Sequence, residues 1–275
     1  MTQARSTPRL RMARDMFLDI AGNRVFALSF GKGPKTFLAH SGWIGNFEDW
    51  IATLSILSEE WRVVVYDHRG SGETPVPSED ITADALVDDV FGVMNALKIE
   101  TCTLAGFSAG AVTALRAALR HPDRFEGLML LNGSGGVKVS DAEIKPRVPP
   151  SQWPGDTHLE RLEWFATMCT PEPGALHIRR WAVNLLSRAT PEAAEASFLT
   201  QPSQTLDWPA ELGRLSLPTL LVHGELDPLV DVKDMEYLQS LLPQSKLVIM
   251  EGSGHLPAMT RPQDVAREIN EFFAV

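Results

Sequence analysis

Two registers of apolar spacing alternate along this chain. From Met16 to Phe30, two runs of alternating apolar and polar residues flank Ala21-Gly22-Asn23, where Gly and Asn can adopt positive φ, so the spacing predicts a β-hairpin and an antiparallel start to the sheet. Further on, Thr36 to Ala39, Trp61 to Tyr66, Thr103 to Ala105 and Leu128 to Leu131 are short apolar runs. Each is followed by small or polar residues and, in most cases, by a longer amphipathic segment. Trp50, Leu54 and Leu57 share one helical face, and Leu86, Val90, Val93, Met94 and Leu97 another, which gives the βαβ units of a mostly parallel sheet.

The pattern breaks between about residues 133 and 213. That stretch holds Pro146, Pro149, Pro150, Pro154, Pro171 and Pro173 and four of the seven tryptophans, and reads as a helical lid inserted in the core. Thr219 to His223 and Lys246 to Met250 then resume the strand pattern. Gln263 to Phe273 closes the chain as a helix with Val265, Ile269 and Phe272 on one face. The expected organisation is a disordered tail over 1–14, an α/β core over 15–132 and 214–275, and the lid over 133–213.

Composition narrows the partners. The formal charge of -10 disfavours nucleic acid and anionic membranes, both of which attract basic surfaces, and no apolar run approaches the ~20 residues of a spanning helix. Arg5, Arg9, Arg11 and Arg14 precede the first acid, Asp15, without the apolar stretch of a secretory signal. Cys102 and Cys169 are the only cysteines, a usage that fits buried thiols in a reducing, cytoplasmic setting. The oligomeric state is left open.

The candidate chemistry begins at Gly106-Phe107-Ser108-Ala109-Gly110, between a strand ending at Ala105 and a helical run from Val112 to Leu119. Such a strand-turn-helix setting is what a nucleophile elbow requires, with the serine oxygen above the sheet edge. A serine hydroxyl needs a base, and His255, in the loop Glu251-Gly252-Ser253-Gly254-His255 after the last strand, stands where that base belongs. His121, His158 and His177 read as solvent-exposed. The acid that orients the imidazole is expected at Asp227, after the preceding strand, with Glu225 and Asp231 as competitors. Asn132 and Gly133 offer no acid after the strand ending at Leu131. The oxyanion donors are expected to be the Ala109 amide and that of Trp43, which follows Gly42 in His40-Ser41-Gly42-Trp43.

With these pieces in order, the chain from about residue 16 onward resembles the α/β-hydrolase superfamily. Asp67-His68-Arg69-Gly70-Ser71-Gly72-Glu73-Thr74 is similar to the family's D-x-R-G-x-G-x-S turn, with Thr74 in place of serine, and is structural by that resemblance. The resemblance implies an eight-stranded, mostly parallel sheet flanked by helices and an inserted helical lid that shapes the substrate pocket. Within the family the general look is that of small esterases, lactonases and non-haem haloperoxidase-like hydrolases. Two residues depart from the family: His40 stands one place early before Ser41-Gly42, and Ala111 replaces a frequent second glycine after the elbow. A serine nucleophile excludes haloalkane dehalogenase, epoxide hydrolase and cysteine-dependent dienelactone hydrolase chemistry.

The expected function is hydrolysis of a small, fairly hydrophobic ester or lactone through an acyl-enzyme on Ser108. Trp153, Trp164, Trp181 and Trp208, with Met168 and Phe198, either line an apolar cavity or pack the lid onto the core. No cofactor is called for, since Gly31-Lys32-Gly33-Pro34 lacks a following helix and reads as a turn. The alternatives are a C-C bond hydrolase or lyase on the same triad, a cofactor-free oxygenase with His255 as substrate base, and a non-catalytic ligand receptor.

Overall fold

In the computed structural model, residues 14–137, 148–200 and 208–273 are described. Strands β1 (Arg14–Ile20) and β2 (Asn23–Phe30) form the hairpin, and Ala21 and Gly22 carry its positive φ values of 51° and 83°; Asn23 already belongs to β2. Arg14 pairs with Ser29, so it belongs to the sheet; the rest of the expected tail lies outside the described residues.

Then follow β3 (Thr36–His40), α1 (Ile51–Leu57), β4 (Arg62–Tyr66), α2 (Ala83–Ala96), β5 (Cys102–Phe107), α3 (Gly110–Arg120) and β6 (Phe125–Leu131). Among the described residues, four α-helices separate β6 from the next strand: α4 (His158–Cys169), α5 (Leu176–Leu186), α6 (Pro191–Thr200) and α7 (Trp208–Leu212). The chain ends with β7 (Thr219–Gly224), α8 (Val232–Leu241), β8 (Ser245–Met250), α9 (Pro257–Thr260) and α10 (Pro262–Phe273).

The eight strands pair in the order β1-β2-β4-β3-β5-β6-β7-β8, antiparallel at β1-β2 and β2-β4 and parallel elsewhere. Every residue of β5 and β7 is buried, whereas β1 and β8 at the edges are only partly covered. Strands covered on both faces need continuous apolar runs, which is why the central ones read as such. One face packs α1 and α10 through Leu54, Leu57, Val265 and Ile269. The other packs α2, α3 and α8 through Val90, Met94, Leu115 and Leu238. The inserted helices join the first of these faces through Leu162, Ala166, Ile178 and Leu185.

The chain runs from β3 out to β4 on one side and returns to β5 on the other. A connection that reverses direction leaves a crevice beyond the C-terminal ends of these strands. The pairs His40 with Gly106, Phe107 with Leu131 and Leu131 with Val222 set the ends of β3, β5, β6 and β7 nearly level, so the residues just past them gather along one edge.

Candidate active site

Ser108 sits in the tight turn between β5 and α3 with a φ of 52°, in the left-handed region that a residue with a Cβ enters only at a cost of order 1–3 kcal/mol. The surroundings hold it there. Its N–H donates to Leu131 O at 2.8 Å, and its carbonyl accepts from Ala111 N at 3.0 Å. A Cβ at Gly106 would lie 2.5 Å from Gly110 O, so only glycine lets the helix start this close to the strand.

Ser108 Oγ lies 2.8 Å from His255 Nε2, and His255 Nδ1 lies 2.7 Å from Asp227 Oδ2. The three expected residues therefore form one hydrogen-bonded chain. His255 and the Asp227 carboxylate are almost completely buried. Burial pushes the Asp227 carboxyl up, but the His255 imidazole, the Asn132 amide and the Leu229 N–H outweigh it and hold the group below the usual carboxylate range. Asp227 Oδ1 accepts from Leu229 N at 2.8 Å, and Oδ2 accepts from Asn132 Nδ2 at 2.7 Å. The competing acids are used elsewhere: Glu225 accepts from Gly252 N, and Asp231 caps α8 by accepting from Lys233 N.

Trp43 lies in the loop after β3, where a Cβ added at Gly42 would come within 3.2 Å of Ser108 Cβ. Close backbone approach thus sets the Trp43 and Ala109 amides beside the serine. Among the described residues neither N–H donates to a protein acceptor. The Trp43 indole is anchored by donating from Nε1 to Ala194 O at 2.8 Å, and its carbonyl accepts from Ser197 Oγ at 2.9 Å.

A small cavity reaches Ser108 and His255. Its walls are mostly apolar, with Phe165, Ala182, Leu185 and Leu186 from the inserted helices. Trp153 takes the packing role. Trp153 stacks on Phe165 at 4.9 Å between ring centroids and meets Trp43 edge-on at 5.0 Å. Trp164 is exposed, Met168 is half-buried, Trp181 Nε1 donates to Glu48 Oε2, and Phe198 lies against Trp43 and Trp153. The Trp208 side chain lies outside the described residues.

Three contributors carry no recognisable motif in the sequence. Asn132, with a φ of 46°, bridges Asp227 and the Gly254 carbonyl, which lies 3.2 Å from its Nδ2. Glu172, between α4 and α5, accepts from Gly254 N, while His255 N donates to Cys169 O at 3.0 Å. Asp49 lines the cavity. His40, at the end of β3, is a buried structural residue whose Nδ1 lies 2.8 Å from the Tyr66 hydroxyl. His121 and His177 are exposed as expected, but His158 is half-buried because α4 begins there and turns its ring partly inward. The Asp67-to-Thr74 turn is a scaffold. Arg69 makes a buried two-pronged pair with Asp89 at 2.7 and 2.8 Å, and Thr74 Oγ1 accepts from Phe26 N.

Comparison with known proteins agrees with this fold. The family model described as alpha/beta hydrolase fold matches residues 35–262. A pimeloyl-[acyl-carrier protein] methyl ester esterase from Aeromonas hydrophila is 29% identical over 88% of this chain and 96% of its own length. 3-Oxoadipate enol-lactonase 2 from Acinetobacter baylyi is 25% identical over 86% of this chain and 87% of its own. Among solved structures, an esterase from Exiguobacterium antarcticum superposes with a TM-score of 0.84 over 95% of this chain and all of that one; at 19% identity this likeness speaks for the fold.

Proposed function

Because the chain belongs to the alpha/beta hydrolase fold family, we propose that it hydrolyses a small, fairly hydrophobic carboxylic ester or lactone, with Ser108, His255 and Asp227 as its catalytic triad. The observation that carries this reading is the unbroken hydrogen-bonded chain from Ser108 Oγ through both imidazole nitrogens to Asp227. Relatives named as a methyl ester esterase and an enol-lactonase support the substrate class.

In the proposed mechanism, Ser108 Oγ attacks the carbonyl carbon while His255 Nε2 takes its proton. Asp227 keeps the other imidazole proton on Nδ1 and stabilises the cation that forms. The Trp43 and Ala109 amides receive the negative charge that builds on the carbonyl oxygen, and such donors contribute about 3 kcal/mol each. His255 then returns the proton to the leaving alcohol, and water activated by the same imidazole releases the acid from Ser108. The helices between β6 and β7 serve as a lid whose apolar side chains form the pocket wall. The direct contact between Ser108 and His255 favours this reading over an oxygenase in which the imidazole acts on the substrate itself.

The test is hydrolysis of p-nitrophenyl acetate and butyrate by wild type and Ser108→Ala. The expected result is activity that drops by a factor on the order of a millionfold in the variant. An inactive wild type, or a variant that keeps its rate, refutes the proposal.

A further inference from the structure

Asp49 is an unusual wall for an apolar pocket. It is only 5% exposed, and its Oδ2 has no hydrogen-bond partner. Apart from Ser108, His255 and Asp49, the cavity is lined by hydrocarbon, backbone, the Trp43 side chain and the Cys169 sulfur. A buried carboxyl oxygen with no partner carries a desolvation cost, which the nearby Ser41 hydroxyl and Gly42 N–H offset only in part.

The local chain accommodates this carboxyl without placing a cation beside it. A Cβ at Gly45 would fall 2.0 Å from Oδ2, so the glycine leaves the space that the carboxyl occupies. The neighbouring acid, Glu48, takes the available donors, pairing with Arg188 and accepting from the Trp181 indole. The main influences on Asp49 are its burial, the Ser41 hydroxyl, the Gly42 N–H and the acids Asp67 and Glu48, none of them a cation.

We propose that Asp49 determines specificity: its free Oδ2 accepts a hydrogen bond from a hydroxyl or N–H on the part of the substrate held in this cavity, so the site prefers esters and lactones that carry such a donor. This inference rests on the hydrolase reading for its substrate class, but binding to Asp49 does not require turnover. One good hydrogen bond to a buried carboxyl corresponds to roughly tenfold in affinity or more.

The test uses full-length Ser108→Ala, in which an ester can be held without being cleaved by the serine. Methyl 3-hydroxybutanoate and methyl butanoate are titrated against it by ligand-observed NMR at pH 8.5, where the Asp49 carboxyl, lifted to about 7, is ionised, alongside monomethyl succinate. The expected result is about tenfold tighter binding of the hydroxy ester, lost when Asp49→Leu is added and partly kept with Asp49→Asn. Asp49→Ala serves where the leucine variant does not fold. Equal affinity for the two neutral esters overturns the proposal, as does a preference that survives removal of the carboxyl. Tighter binding of monomethyl succinate also overturns it, since Asp49 would then act as a donor. Hydrolysis by the Ser108 protein is read separately, so a failed catalytic reading and a failed specificity reading remain distinct.

Discussion

The sheet and the helices between β6 and β7 are held by different means. The central strands bury every side chain of β5 and β7 between two helical layers, and their apolar runs alone dictate that burial. The inserted helices add Leu162, Ile178 and Leu185 to one face, but their attachment also depends on polar links from loops. Trp43 Nε1 donates to Ala194 O, Asn46 Nδ2 to Leu185 O, and Trp181 Nε1 to Glu48. Hydrophobic burial is non-directional and sets a layer; hydrogen bonds are directional and fix one docking geometry. The proposed reacting groups lie just past strand ends, and part of the pocket wall lies on the docked helices.

The sharpest way to break this division is Asp227→Asn. With the imidazole tautomer no longer controlled, turnover of a p-nitrophenyl ester is expected to fall about 10⁴-fold while the melting temperature barely moves. If Glu225→Gln gives that loss instead, the acid belongs to a different residue.

At the boundary between the two regions, burial lifts the Asp49 carboxyl to about 7. A raised folded value means that the native state holds a proton the unfolded chain has already lost, so stability falls as pH rises from about 4 through 7. Asp49→Asn is therefore expected to stabilise the protein at pH 8, by up to about 4 kcal/mol, and to do little at pH 4. Asp67, pushed up to about 6 chiefly by burial, gives a similar trend that is common to both proteins. Urea unfolding at the two pH values checks the difference, and an equal effect at both would refute it.

Within the sheet, Leu104→Ala removes a completely buried side chain from β5, and a loss of about 3 kcal/mol is expected, with KM unchanged for the folded fraction. A raised KM would mean that the sheet interior and the pocket wall are not separable. The smallest effect expected is for Glu172→Gln, which weakens the acceptor for Gly254 N: about tenfold in kcat with KM nearly constant. Unchanged kcat would show that the link is structural only.

This contrast also explains what the sequence could tell. Apolar periodicity located the strands and the principal core helices, and the turn Gly106 to Gly110 between strand and helix pointed to Ser108, because burial and steric room leave a pattern in residue types. The polar links leave none. Asn132 looks like any residue that ends a strand, and its approach to Asp227 arises only because β6 and β7 pair in register. Asp49 carries no mark in the sequence that it is buried beside the cavity. The tryptophans marked the insert, but whether they packed it or faced the pocket depended on docking geometry.

The bonds from Cys169 and Glu172 to the His255 loop bear on modularity. An insert exchanged between related chains is often imagined as a cassette that changes the substrate and leaves the catalytic engine alone. Here two of the bonds that set the height of the proposed general base come from the cassette itself, so a transplant that omitted them would carry over a pocket and lose its alignment with the serine.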